Sequence, residues 1–539
     1  MRGLMQQWPL LCHKIIDHAA LHHGDREVVS RSVEGPIHRT NYREVRARAR
    51  RVAKRLDADG FRLGDRGATL AWNTWRHLEV WYGLLGLGGI YHTINPRLFP
   101  EQIAWIVNHA EDRILFTDLT FLPLVEKLRD HMKSIERVVV LTDAAHMPNT
   151  PLVCEPYEEW LAADDDFEWR DFDESTAAGM CYTSGTTGNP KGVLYSHRSN
   201  VLHSLVSNGP DVFGLSSADR VMPVVPMFHA NCWGLAFTAP LAGAAMVMPG
   251  PKLDGASLHE LLNAERVSCT AAVPTLWLML LQQLQQSGGD LPHLQRVVIG
   301  GAACPRVVIE AFEERYGVRV LHAWGMTEMS PLGTVCSFKP EVAAMDKEGQ
   351  RAVQEKQGHP PFGVELEIVN DAGKALSWDG KTFGRLKVRG PAVASAYYRE
   401  DAEVLDADGW FDTGDVAHID SHGYMCITDR SKDVIKSGGE WISSIELENL
   451  AVGHPAVAEA AVIGVHHPKW DERPLLIVVP KPEGAPSKDA LLDFLRPKVA
   501  KWWLPDDVVF VDQIPHTATG KIQKTVLREQ FRDYRLPDA

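Results

Sequence analysis

The sequence predicts a mixed α/β protein of two or more domains, on three observations: its length, an alternation of buried strands with amphipathic helices, and shorter strand spacing from about Gly363 onward. At 539 residues the chain exceeds what one hydrophobic core usually serves. Tyr42 to Leu56 and Pro100 to His109 carry helical periodicity, while Ala68 to Trp72 and Arg113 to Thr117 are apolar runs of strand length. The pattern recurs at Arg220 to Val225 and Arg296 to Ile299. These two strands run into the loops Pro226 to His229 and Gly300 to Ala303, and strand ends are where such sheets bind ligands. Val364 to Val369 and Gly384 to Val388 then read as short strands of a β subdomain. The polar stretch Ala343 to Gln357 before them is expected to be a solvated helix.

The last ~110 residues have the length of a separate compact unit. Ala460 to Val465 and Leu475 to Pro480 read as its strands, Ile445 to Ala451 and Ser487 to Ala500 as its helices. Its boundary is expected near Asp429 to Lys432. Solenoids and low-complexity arrays are excluded by the absence of repeats.

Lys plus Arg number 56 against 70 Asp plus Glu, a net charge of −14. That balance argues against nonspecific nucleic-acid binding and against a polybasic membrane anchor. Eight scattered cysteines without a C-x-x-C pair fit neither a zinc site nor a disulfide framework, and so fit a reducing, cytoplasmic compartment. Met1 to Pro9 lacks the apolar core of a signal peptide. The longest apolar stretches, Pro240 to Met248 and Ala271 to Leu281, fall short of the ~20 residues of a spanning helix, so no integral membrane segment is expected. A homodimer is the default assembly for a soluble enzyme.

The stretch Tyr182-Thr183-Ser184-Gly185-Thr186-Thr187-Gly188-Asn189-Pro190-Lys191 gathers hydroxyls, two glycines and a lysine in one loop. Gly185 and Gly188 let backbone N–H groups approach an anion, the threonines and the serine add donors, and Lys191 supplies a point charge for a polyphosphate. It is not the G-x-x-x-x-G-K-[ST] loop, because Pro190 precedes the lysine and Gly192 follows it. His322-Ala323-Trp324-Gly325-Met326-Thr327-Glu328, Trp410 to Asp415, Asp429 to Asp433 and Pro515 to Lys521 follow in that order. Together with the first loop, these stretches resemble the adenylate-forming superfamily of acyl-CoA synthetases, adenylation domains and luciferases. Ser437-Gly438-Gly439-Glu440-Trp441-Ile442-Ser443 and Pro226-Met227-Phe228-His229-Ala230-Asn231-Cys232-Trp233 are similar to stretches of bacterial medium- and long-chain fatty acyl-CoA synthetases and 3-methylmercaptopropionyl-CoA ligases.

The resemblance implies an AMP-binding domain of stacked α/β layers over residues 1–430, with a β subdomain from about residue 331, and a small mobile α+β domain over residues 431–539. The implied reaction is ATP-dependent acid–CoA ligation. A carboxylate and MgATP give acyl-AMP and pyrophosphate, and the CoA thiol then displaces AMP. A medium- to long-chain fatty acid is the implied substrate, with 3-methylmercaptopropionate and other short or aryl-alkyl acids as alternatives. An adenylation enzyme that loads a carrier protein, a luciferase-like oxygenase and a non-catalytic binding protein are the other readings.

By the same resemblance Thr183 and Glu328 hold Mg²⁺, Ser184 to Lys191 wrap the β- and γ-phosphates, and Thr327 contacts the α-phosphate. Adenine lies against Gly301, Ala302 and Ala303 with Trp324 over another face; the family more often has tyrosine at that position. Asp415 accepts from the ribose hydroxyls, with Arg430 beside it. His322, Ala323, Gly325, Met326, Lys432, Lys436 and Trp441 complete the implied nucleotide contacts. Lys521 is the catalytic lysine, carried into the site by domain closure about a hinge at Lys432; the motif more often begins Pro-Arg than Pro515-His516. Ser437, Gly438, Gly439 and Glu440 line the channel for the CoA arm, and His229 and Trp233 stand at the acyl site, the indole as a gate.

Overall fold

The structure, a computed structural model, describes residues 1, 3–183, 189–437, 440–482, 484–516 and 522–537, with the backbone alone at 440 and 441. Among these residues the strands form four sheets. The first runs Glu155–Pro156, Arg137–Val140, Asp112–Thr117, Arg66–Leu70, Ile90–Thr93, Ala177–Tyr182, Gly192–Ser196, and only its last pair is antiparallel. The second runs Leu332–Val335, Arg319–Gly325, Arg296–Ile299, Cys269–Ala272, Arg220–Pro223, Ala245–Met248, Glu27–Arg31, Ile37–Asn41, and is antiparallel only at its two outer pairs. Parallel strands covered on both faces must be apolar throughout, which is why their runs are continuous rather than alternating.

One hydrophobic cluster joins the two sheets, bringing Ile114 and Phe116 of the first together with Val221, Met246 and Leu321 of the second. Helix Trp75–Leu87 belongs to this cluster, and all 13 of its residues are buried. A helix that is apolar on every side has no solvent face to offer. Its one acid, Glu79, is matched by Arg48 Nε at 2.8 Å and by the Tyr157 hydroxyl at 2.8 Å. Its glycines permit close approach: a Cβ at Gly83 would lie 2.5 Å from Val52, and one at Gly86 1.9 Å from Trp169.

Glu365–Val369, Gly384–Arg389, Phe411–Ile419 and Met425–Arg430 form the third sheet, all antiparallel. The fourth consists of Glu440–Ile442, Ile435–Ser437, Asp471–Pro480 and Val457–His467, with Asp507–Phe510 also paired to Asp471–Pro480. Alternate residues of its long strands point to opposite faces. Val462, Leu476 and Val478 pack with Leu447 and Leu491 on one face, Ile463, Leu475 and Ile477 with Ile514 and Leu527 on the other. These residues therefore build their own core.

Two helical expectations change. Ala343 to Gln357 divides into Pro340–Ala343 and Lys347–Gln354, because the Asp346 side chain caps a new helix by accepting from Gly349 N. This second helix is not fully solvated: Arg351, Val353 and Gln354 are buried, and Arg351 pairs with Glu313 at 3.0 Å. Ser487 to Ala500 shortens to Lys488–Leu495, since Pro497, two residues past its end, has no N–H with which to continue the helix. Among the described residues no helix is long and apolar enough to cross a membrane.

Candidate active site

Strands Ala177–Tyr182 and Gly192–Ser196 flank the glycine- and threonine-rich loop, and Thr183 N donates to Lys191 O at 2.9 Å across its base. Ser184, Gly185, Thr186, Thr187 and Gly188 lie outside the described residues. The Lys191 ammonium sits 4.7 Å from the centre of the Tyr397 ring, and the Tyr397 hydroxyl donates to Glu328 Oε1 at 2.7 Å. The lysine of the loop and the carboxylate expected to hold a metal are thus joined through one phenol. Burial, and then the Glu328 charge, push the Tyr397 hydroxyl well above the usual tyrosine range, so it stays a donor. The backbone repeats the connection. Ala394 N donates to Glu328 O at 2.7 Å, Tyr195 OH to Thr327 O at 2.8 Å, and Tyr398 N to Gly192 O at 2.8 Å. Tyr397 and Tyr195 were not singled out from the sequence, where an aromatic in an irregular segment carries no spacing signal.

Strand Arg319–Gly325 carries the second part of the site. At its end a Cβ on Gly325 would fall 2.0 Å from Pro331 O, so only glycine allows the turn through Met326, Thr327 and Glu328. The Trp324 ring lies against Gly333, where a Cβ would come within 2.4 Å of it. Its indole nitrogen donates to Asp415 Oδ2 at 3.0 Å, and Arg430 Nε pairs with Asp415 Oδ1 at 2.9 Å. Asp415 and Arg430 are direct partners across two antiparallel strands. Tryptophan in place of tyrosine therefore still offers a donor at this position. His322 is buried; Cys304 N donates to its Nε2 at 3.2 Å, and its Nδ1 faces Gln354 O at 3.3 Å. Burial pushes its pKa down to about 4, so the ring is neutral, carries its proton on Nδ1, and braces the Gly300 to Cys304 loop against helix Lys347–Gln354. The Ala323 carbonyl packs beneath Gly300, at 2.9 Å from where a Cβ would be.

Gly301 has φ +81°, and Ala302 beside it is exposed. The Trp233 indole lies against this glycine pair, 3.4 Å from a Cβ on Gly300 and 3.7 Å from one on Gly301. Trp233 ends an uncommon segment: Ala230, Asn231, Cys232 and Trp233 all have left-handed backbone, with φ of 42°, 57°, 59° and 51°. Such geometry costs ordinary residues roughly 1–2 kcal/mol each, so surrounding contacts must hold it. His229, immediately before it, is half-buried in extended geometry. Asn73, at the entry to helix Trp75–Leu87, fixes the approach to His229: its amide nitrogen donates to Pro223 O and Val225 O at 2.9 Å each, and its oxygen accepts from Met227 N at 2.7 Å.

Past Arg430 the chain enters the fourth sheet. Lys432 is exposed, and partial loss of water around its ammonium holds it somewhat below the usual lysine range. Asp429 accepts from Ser444 N at 2.9 Å, and Asp433 pairs with Arg528. Lys436 N donates to Glu472 at 3.0 Å, and Ser437 Oγ accepts from Arg473 at 3.2 Å. The expected contacts at Gly438, Gly439 and Lys521 lie outside the described residues, as do the side chains of Glu440 and Trp441.

The AMP-binding enzyme family model matches residues 16–398, and its C-terminal domain model matches residues 446–521. The chain is 53% identical to a 3-methylmercaptopropionyl-CoA ligase of Ruegeria pomeroyi, covering 99% of both chains. It is 47% identical to a medium-chain-fatty-acid–CoA ligase of Ectopseudomonas oleovorans, covering 99% of this chain and 98% of that one. Among solved structures it is similar to the anthranilate CoA ligase AuaEII in complex with anthranoyl-AMP, with TM-score 0.86, 26% identity and coverage of 98% and 99%. The chain therefore belongs to the family of AMP-binding enzymes, and within it is an acid–CoA ligase.

Trp324→Phe keeps a ring against Gly333 and removes the donor to Asp415. The KM for ATP is expected to rise about tenfold, the low end of the worth of one hydrogen bond to a charged group, with the acid KM unchanged. Steady-state AMP release checks this, and an unchanged ATP KM would remove the Trp324–Asp415 pair from nucleotide binding.

Proposed function

We propose that the protein activates a medium- to long-chain fatty acid with ATP and transfers the acyl group to CoA. The observation that carries this reading is the linkage of Lys191 through Tyr397 to Glu328, beside the Trp324–Asp415–Arg430 cluster. It brings the lysine that ends the glycine- and threonine-rich stretch near a buried carboxylate, the pairing that a bound polyphosphate and its metal need. Asp415 accepts from Trp324 on one oxygen and pairs with Arg430 on the other, and this oriented carboxylate is the proposed acceptor for the ribose hydroxyls. The loop from Thr183 to Lys191 takes the β- and γ-phosphates, and Gly301 to Ala303 offer a face without bulky side chains to adenine. The substrate carboxylate oxygen attacks the α-phosphorus, and pyrophosphate leaves. Lys521 supplies the charge that bridges attacking and leaving oxygens. The CoA sulfur then attacks the acyl carbon, and AMP leaves.

Among the described residues no group of three or more His, Cys, Asp or Glu could cage a metal. Mg²⁺ fits such a site, since it usually binds through one or two carboxylates and the substrate's phosphates. Glu328 and the Thr183 hydroxyl are its proposed protein ligands, and the ion would neutralise phosphate charge. We further propose two domains, 1–430 and 431–539, that rotate about Lys432 between the half-reactions, with Ser437 to Glu440 admitting the pantetheine arm. The free thiols at all eight cysteines support a cytoplasmic setting. A second reading of the substrate, 3-methylmercaptopropionate, is favoured by the 53% identity to a ligase of that name.

A panel of straight-chain acids from short to long, with 3-methylmercaptopropionate, scored by AMP release with CoA present, is expected to peak at medium to long chains. A peak at the thioether acid supports the second reading, and no CoA-dependent AMP release with any acid overturns both. Lys521→Ala is expected to lose pyrophosphate exchange by about 10²-fold or more, as for loss of an electrostatic catalytic group. Lys432→Pro should spare exchange and stop thioester formation; unchanged thioesterification would misplace the hinge. Chelation with EDTA should abolish AMP release and added Mg²⁺ restore it, whereas full activity in EDTA would contradict the metal assignment.

A further inference from the structure

The left-handed turn at Ala230 to Trp233 is gripped by a closed ring of three buried hydrogen bonds. The Tyr91 hydroxyl donates to Asn231 Oδ1, Asn231 Nδ2 donates to Asn200 Oδ1 at 3.2 Å, and Asn200 Nδ2 donates back to the Tyr91 hydroxyl at 3.3 Å. Each side chain gives one bond and takes one, so deleting any member leaves a buried partner unsatisfied. Asn231 and Tyr91 are 0% exposed and Asn200 is 2% exposed, so water does not compete. The three residues come from three elements: strand Ile90–Thr93, helix His197–Ser207 and the turn itself.

The frame around the ring is rigid. Tyr91 stacks on Trp81 at 4.1 Å with planes 8° apart, and a Cβ on Gly179 would lie 2.1 Å from the Tyr91 ring. Gly234, which ends the turn, lies against His203, where a Cβ would be 2.7 Å away. The Cys232 thiol donates to Val225 O at 3.3 Å. Asparagine adopts left-handed geometry more readily than most residues, but alanine, cysteine and tryptophan rarely do. The ring therefore grips the turn at the member that strains least and carries its neighbours with it. His229 precedes the turn, and Trp233 closes it against Gly300 and Gly301.

We propose that Tyr91, Asn200 and Asn231 are positioning residues for the acid substrate, holding the strained turn so that His229 and Trp233 stand at the acyl end of the site. This rests on the reading of those two residues as the acyl site. A turn freed of the ring relaxes toward right-handed geometry, which swings the indole off the glycine pair and changes the shape offered to the acid. Nucleotide contacts at Asp415, Glu328 and Lys191 do not pass through the ring.

The test uses the full chain with Tyr91→Phe, Asn231→Gly and Trp233→Ala. Tyr91→Phe removes one oxygen and keeps the stack on Trp81; Asn231→Gly keeps the left-handed backbone open and removes the grip. Melting temperature, kcat, and KM for acid and for ATP are measured for each with one saturated fatty acid and with 3-methylmercaptopropionate. The acid KM of Tyr91→Phe is expected to rise about fivefold for the better substrate, a part of the worth of the two buried hydrogen bonds it loses, with the ATP KM changed less than about twofold. Asn231→Gly should show the same split, and larger. An unchanged acid KM in both ring variants, with a raised one in Trp233→Ala, overturns the proposal. Equal changes of both KM values together with a lowered melting temperature also overturn it, because the ring would then serve the fold alone. An unchanged acid KM in Trp233→Ala overturns instead the acyl-site reading beneath it.

Discussion

Burial of helix Trp75–Leu87 on every side is the constraint from which the rest of the N-terminal architecture follows. A helix without a solvent face must be enclosed, and here two largely parallel sheets share one hydrophobic cluster around it. The enclosure also reaches the candidate site. Asn73 at the mouth of the helix ties the strand-end loop that leads to His229, and Trp81 within it stacks on Tyr91. A core element thereby holds the segment leading through His229 to Trp233 at two points.

The two ends of the site are held by different means. On the nucleotide side, polar side chains meet from separate strands: Trp324 and Arg430 on Asp415, Tyr397 on Glu328, with close backbone packing at Gly325 fixing where they point. Those groups sit in ordinary geometry and gain from satisfied, partly charged hydrogen bonds. On the proposed acyl side the backbone itself is unusual, four left-handed non-glycine residues in succession, and buried neutral hydrogen bonds keep it there. Strain of that kind persists only where packing over-determines it.

Motif stretches made much of the site legible before any fold was known, because chemistry that handles a triphosphate needs glycines, hydroxyls and a lysine within one loop. Strand Arg296–Ile299 and the starts of helices Tyr42–Ala58 and Pro100–Ala110 were legible for a simpler reason, the period of their apolar residues. Helix Lys347–Gln354 was misjudged as solvated because its charges dominate its composition. Arg351 nonetheless turns inward to Glu313, and the Gln354 carbonyl meets His322. Composition counts charges, and burial depends on whether a partner waits across the gap.

The amino-acid sequence alone determined the fold class, the order of the motifs and the set of candidate reactive groups, since these follow from local patterns of residue type. Only the tertiary structure decided which residues support them. Tyr397, Tyr195, Asn73, Tyr91 and Asn200 carry no spacing signal, because each acts on a partner distant along the chain; Asn231 stands in a motif stretch that did not show what it bonds. The distance between Tyr91 and Asn231 is 140 positions, and between Tyr397 and Glu328 it is 69. A hydrogen bond forms between groups that packing brings within about 3 Å, and no linear pattern records that proximity.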